Sequence, residues 1–220
     1  LMARRIERLF LAGPAGRLEA MLEEPEEMTL IEAALVCHPH PQHGGTMHNK
    51  VVYRIARGLR KSGCAVLRFN YRGVNLSQGS YDGGVGETED ARAGLNELRQ
   101  RYPELPLAIA GFSFGARIAV RLASEETAPR RVIAAGFPTK VAERSFVNQV
   151  RISKYFVQST RDEFGPVAEF ADFFQSVPEP KHLEWIDAED HFFGGALDAF
   201  ESAIARIGQE RPPDRPARLA

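Results

Sequence analysis

The chain has little cysteine, no long hydrophobic run and no surplus of charge of either sign, and each absence closes off a class of function. Its two cysteines, Cys37 and Cys64, lie inside the apolar runs ALVC and CAVLRF, which read as buried strands. Two buried thiols are therefore expected, ahead of a disulfide or a nucleophile, and this usage fits a reducing cytoplasm. No apolar stretch approaches the length of a membrane span. The opening LMARRIERLFLAG resembles a secretory signal only in outline, because Glu7 and Arg8 interrupt it and its apolar part is too short. Leu1 ahead of Met2 reads as an expression remnant. Twenty-eight Lys and Arg against 29 Asp and Glu give a net charge of −1, so no general attraction to nucleic acid or to an anionic membrane is expected.

What is present is ordinary globular composition, 44% hydrophobic and 26% charged, in 220 residues. Short apolar runs alternate with amphipathic ones. ERLFLAG and GRLEAMLEE come first, joined by Gly13-Pro14-Ala15-Gly16 as a hairpin-like turn. LIEAALVCH, CAVLRFNYRG, LPLAIAGF, RRVIAAGFP, ISKYFVQST and KHLEWIDA then read as strands. Between them, NKVVYRIARGLRKSG, residues 86–102, ARIAVRLASEE, VAEFADFFQSV and ALDAFESAIARIG read as helices. Strands alternating with helices imply a mostly parallel sheet covered on both faces. Without a repeat, an interior linker or a second composition regime, residues 1–207 are expected to form a single domain. The proline- and charge-rich residues 208–220 are expected to be a disordered tail.

The segment Gly111-Phe112-Ser113-Phe114-Gly115 lies between a strand and a helix, the setting of a nucleophile elbow. The flanking glycines are expected to permit a sharp turn that raises the Ser113 hydroxyl above the sheet edge, with the Phe114 N–H facing the oxyanion site. Serine needs a base, and the base needs an orienting carboxylate. In this arrangement both follow the serine, acid first, on loops after later strands. Asp162 follows ISKYFVQST and His191 follows KHLEWIDA. His182, at a strand entrance, stands at the wrong end of a parallel strand. Glu163, Asp187 and Asp190 remain alternative carboxylates.

Four histidines crowd HPHPQHGGTMH, residues 38–48. His38-x-His40-x-Gln42-His43 comes within one residue of the H-x-H-x-D-H pattern of metallo-β-lactamase-like zinc hydrolases. Gln42 replaces the aspartate ligand, and Pro39 and Pro41 stiffen the backbone. The other reading places this segment at the same sheet edge as Ser113, supplying the second oxyanion N–H. Prolines have no N–H, so within HPHP the main chain of His40 is the candidate, and His40→Ala is expected to be mild if only that main chain acts. No metal and no cofactor is expected. The loop FNYRGVNLSQGSYDGGVGETED carries Arg72 as a candidate backbone anchor, with Ser80 or Asp82 as turn caps; it lacks the pattern of a phosphate-binding loop.

With Ser113, Asp162, His191 and the HPHP loop in that order, residues 30–205 resemble a bacterial group of small α/β-superfamily hydrolases. That group carries an HPHP–GG–TM–N segment, an F-N-x-R-G-V-x-x-S-x-G loop and G-F-S-F-G. The resemblance implies an α/β-hydrolase fold and serine esterase-like activity, distantly related to dienelactone hydrolases, which use cysteine where this chain has Ser113. Asn75 departs from the group, which commonly has glycine there, and this questions the loop's local conformation. Only about a dozen and a half residues separate the strands RRVIAAGFP and ISKYFVQST, too few for a separate cap domain. An open site for small or short-chain esters is expected, with Phe112, Phe114, Phe137, Phe192 and Phe193 as candidate lining. Edge strands of the sheet offer a contact for a homodimer. A metal-dependent hydrolase built on the histidine cluster and a non-catalytic binding member of the fold are the competing readings.

Overall fold

A computed structural model of the chain describes residues 4–140 and 144–210; of the tail expected over 208–220, Gly208 and Gln209 instead close the last helix, and residues 211–220 lie outside the described residues. Eight strands form one sheet: β1 (Arg4–Gly13), β2 (Gly16–Pro25), β3 (Glu32–Cys37), β4 (Cys64–Phe69), β5 (Leu107–Phe112), β6 (Pro129–Ala135), β7 (Ser153–Ser159) and β8 (Lys181–Ile186). Their order is β1-β2-β4-β3-β5-β6-β7-β8. β1 and β2 pair as a hairpin with Gly13 opposite Gly16, and β2 is antiparallel to β4. From β4 to β8 every pairing is parallel.

The helices are α1 (Lys50–Lys61), α2 (Val85–Arg101), α3 (Phe114–Glu125), α4 (Val167–Ser176) and α5 (Leu197–Gln209). Period-2 alternation along the central strands feeds two cores. Ala33, Leu35 and Cys37 of β3 face the core shared with α2, α3 and α4, whereas Ala34 and Val36 face the one shared with α1 and α5. Being covered on both sides is why these strands lack polar alternation. Fully burying a Val, Leu or Ile contributes about 1.5–3 kcal/mol, so the centre of the sheet, on which the elbow is mounted, is its most firmly held part. α1 and α5 meet closely at Gly58, where a β-carbon would come within 2.9 Å of the Glu201 carbonyl oxygen. The buried Glu201 carboxylate then pairs with Arg54, Arg57 and Lys61 of α1.

Among the described residues there is no separate cap domain, and no helix is long and apolar enough to cross a membrane.

Candidate active site

The parallel strands set the site at their C-terminal edge, where loops after β3, β5, β7 and β8 converge. Ser113 occupies the single-residue turn between β5 and α3 with φ 57° and ψ −118°, a conformation costing a non-glycine residue of order 1–3 kcal/mol. Its own N–H is held by the Ala135 carbonyl of β6 (2.9 Å). Neither flanking glycine has a positive φ, so within the elbow the left-handed strain rests on Ser113. What glycine provides is space. A β-carbon on Gly111 would lie 2.1 Å from the Gly115 carbonyl oxygen, and one on Gly115 would lie 2.2 Å from that of Cys37. The elbow is thus wedged against the end of β3, which also starts the histidine loop.

Ser113 Oγ lies 2.9 Å from His191 Nε2, and His191 Nδ1 lies 2.7 Å from Asp162 Oδ2. Asp162 and His191 are each 2% exposed. A carboxylate only accepts, so Nδ1 carries the proton and Nε2 is left to accept from the serine hydroxyl. Asp162 is itself cradled by donors: Gln158 Nε2 (2.9 Å) and the N–H groups of Phe164 (2.8 Å) and Gly165 (3.2 Å). Gln158, fully buried near the end of β7, also accepts from the Phe137 N–H at 3.0 Å. The imidazole packs on the Phe112 ring at 4.9 Å and the Phe164 ring at 4.8 Å. Beside it Gly136, at φ 54°, leaves a gap: a β-carbon there would stand 3.0 Å from His191 Cε1.

The alternative carboxylates are engaged elsewhere. Asp190 accepts from the N–H groups of Phe192 and Gly194 (2.9 and 2.8 Å) and shapes the His191 turn. Asp187 faces Thr160 and Arg161. Glu163 accepts from the His191 main-chain N–H at 3.3 Å. His182 stacks on Tyr155, away from Ser113.

The four clustered histidines do not gather at one point: the His40 and His43 rings touch edge-on at 4.5 Å, but His38 is turned into the core. His38 is fully buried, its Nδ1 2.7 Å from the Pro39 carbonyl oxygen and its Nε2 accepting from the Tyr71 N–H (3.1 Å). It straps the end of β3 to the loop after β4. Pro41–His43 form one 3-10 turn, and His40 Nδ1 accepts from the Gln42 N–H across it (3.2 Å), while His40 Nε2 meets the Tyr81 hydroxyl (3.3 Å). The His40 ring therefore braces its own loop and packs on Phe114 at 4.8 Å, a larger part than its main chain alone was expected to play. Among the described residues no three His, Cys, Asp or Glu side chains are grouped as metal ligands would be. Cys37 and Cys64 are buried and free, and burial pushes both thiols up to about 12, which makes them poor nucleophiles.

Burial also pushes the His38 imidazole down to about 3 from 6.5. The unfolded chain takes up this proton near 6.5 and the folded one only near 3, so acidification across that window favours unfolding. This one group should remove about 2 kcal/mol of stability between about pH 6.5 and about pH 5. Urea unfolding across that range is expected to show a pH slope about one proton shallower in His38→Gln than in the parent chain.

A cavity of about 400 Å³ opens over Ser113, lined by Pro39, His40, His43, Gly44, Gly45, Asn49, Phe114, Arg117, Pro138, Phe164, His191 and Phe192 as well as Ser113. Of the five candidate phenylalanines, Phe114 and Phe192 line it; Phe112, Phe137 and Phe193 are buried in the cores. Phe164, Asn49 and Arg117 were not foreseen. Arg72 does anchor its loop, gripping Asp90 of α2 with two guanidinium nitrogens (3.0 and 2.8 Å). Asp82 closes a turn through its carbonyl, which accepts from the Val85 N–H. Buried Glu87, also unforeseen, accepts from the N–H groups of Asp82 and Gly84. Asn75 adopts φ 48°, the left-handed conformation that glycine would take more freely.

Known proteins share this fold. The family described as an alpha/beta hydrolase domain matches residues 34–198. An uncharacterized protein of Rickettsia prowazekii (strain Madrid E) is 34% identical over 206 residues, covering 90% of this chain and 86% of its own. An alpha-beta serine hydrolase homologue from Coxiella burnetii superposes with a TM-score of 0.86 at 34% identity, over 91% of this chain and 96% of its own. A Xanthomonas campestris protein, described as a member of the α/β serine hydrolases without lid, gives 0.87 at 33% identity over 96% and 97%. With sheet order, elbow and family match in agreement, the chain belongs to the α/β-hydrolase family.

Proposed function

We propose that the protein is a serine hydrolase cleaving small or short-chain carboxylic esters. The observation that carries this reading is the continuous chain Ser113–His191–Asp162, with separations of 2.9 and 2.7 Å, at the base of a cavity. Ser113 Oγ attacks the ester carbonyl while His191 Nε2 takes its proton, and Asp162 stabilises the imidazolium. The N–H groups of Phe114 and His40 receive the negative charge that develops on the carbonyl oxygen. Both residues line the cavity, and among the described residues neither N–H has another acceptor. Collapse of the tetrahedral intermediate passes the proton from His191 to the departing alcohol and leaves an acyl-serine. A water molecule, deprotonated by the same imidazole, then releases the acid and regenerates Ser113. A cavity of about 400 Å³ suits a small substrate, and the lidless description of the Xanthomonas relative agrees with an open site.

A fluorophosphonate probe should label Ser113, located by peptide mapping, and p-nitrophenyl esters should be cleaved fastest with short acyl chains. Absence of labelling would sink the reading; labelling without turnover of any ester, lactone or thioester would leave a binding member of the fold.

A further inference from the structure

Arg117 stands one helical turn beyond Ser113, its N–H bonded to the Ser113 carbonyl at 3.2 Å, and its side chain lines the cavity. Arginines elsewhere on the helices are paired: Arg92 with Glu89, Glu125 and Glu126, Arg101 with Glu7 and Glu97, Arg121 with Glu125. Arg117 makes no ion pair among the described residues. Among the described residues no Asp or Glu lines the cavity either. Asp162, beneath His191, is fully engaged, and Glu163 lies outside the lining.

Arg117 shares its two cavities with rings, glycines, aliphatic side chains and a second cation, Arg121, which is itself paired with Glu125. The cavity wall beside it is His40 and Phe114, and on its far side it borders a crevice of about 50 Å³ with Gly83, Gly84 and Phe146. Its charge is felt at His40, whose imidazole is held below its ordinary value first by burial and then by repulsion from His43 and Arg117. The Lys50 ammonium sits over the ring of Phe192, itself a lining residue, at 5.7 Å. Among the described residues, then, the cavity lining carries the Arg117 cation and no carboxylate. A half-buried guanidinium left in this way is a ready bidentate partner for a planar anion.

The geometry points to Arg117 as a specificity-determining residue that binds a carboxylate on the substrate, so that the preferred esters are acidic ones. This deepens the serine hydrolase reading and rests on it. The carboxylate belongs either to the acyl chain, as in a half-ester of a dicarboxylic acid, or to the alcohol.

Two matched pairs of phosphonate probes directed at Ser113 test the idea. In one pair the alkyl chain on phosphorus ends in a carboxylate or in its carboxamide; in the other the aryl leaving group carries the same two groups. The carboxylate probe should label Ser113 about 10- to 100-fold faster than its carboxamide in one pair, and which pair it is identifies the acyl or the alcohol side. Arg117→Gln should bring that ratio close to one and Arg117→Lys should keep part of it, while added salt narrows it in the parent protein. A ratio cancels any general loss of folding or reactivity in a variant. Equal rates in both pairs, or a preference that survives in Arg117→Gln, would overturn the assignment while leaving Ser113 as nucleophile. No labelling by any of the four probes would remove both.

Discussion

Ser113→Ala is expected to lower ester turnover by on the order of 10⁶-fold, down to what binding and oxyanion contacts alone supply. The proposed chemistry passes every bond change through Oγ, and no second nucleophile stands ready: both thiols are buried and pushed up to about 12. Folding should survive, because the hydroxyl's partner in the fold is the His191 ring and the backbone keeps its bond to Ala135. Alanine inherits φ 57° and with it the strain. Glycine does not, so Ser113→Gly should be equally inactive but more stable, by about 1 kcal/mol from relief of the backbone. Turnover of p-nitrophenyl acetate together with thermal unfolding of both variants reads out the two effects separately. Retention of a tenth of the activity in either variant would remove Ser113 from the reaction.

Asp162→Asn should cost about 10⁴-fold in kcat. Four donors converge on this carboxylate: His191 Nδ1, Gln158 Nε2 and the N–H groups of Phe164 and Gly165. An asparagine has one oxygen to offer them. Turning its amide NH₂ toward His191 makes Nδ1 the acceptor, moves the ring proton to Nε2 and leaves nothing to accept from Ser113. Turning it the other way opposes donor to donor at Phe164 and Gly165, and an unsatisfied buried group costs about 1–3 kcal/mol. A fall in kcat together with a lower urea midpoint is therefore expected. Glu163→Gln, Asp187→Asn and Asp190→Asn should leave kcat within about tenfold, since none of the three touches the imidazole; a loss in one of them as large as that of Asp162→Asn would move the carboxylate's role there.

Much of this was legible because the chain spells its strands as short, wholly buried runs and punctuates them with glycine. ALVC and LAIAGF announce the strands that carry the histidine loop and the elbow, and the order Ser113, Asp162, His191 follows from where loops leave parallel strands. What stayed hidden depended on contacts distant in sequence. His38 looks like a ligand until Tyr71, 33 residues later, is found donating to it. Gln158 offered a signal, a lone amide in the apolar run KYFVQS, but its service to Asp162 appears only once β7 and its loop are folded. Arg117 reads as one more helical arginine, and its distinction from Arg92 or Arg101 is the absence of a neighbouring acid among the described residues, which no local pattern encodes. The place of the β1–β2 hairpin beside β4 is likewise a matter of long-range pairing.

The sheet order has a consequence for how this site tolerates change in chain length. β6 and β7 lie between β5, which carries Ser113, and β8, which feeds His191, so the loop bearing His191 must return across three strand spacings, about 14 Å at the usual separation. Ser113 follows β5 directly, Asp162 comes three residues after β7, and His191 comes five residues after β8. Each loop reaches further as its strand stands further from the elbow. Surface loops ordinarily accept insertions and deletions freely; these three are spans cut to measure, in which a single residue gained or lost should displace a member of the proposed triad as surely as replacing it.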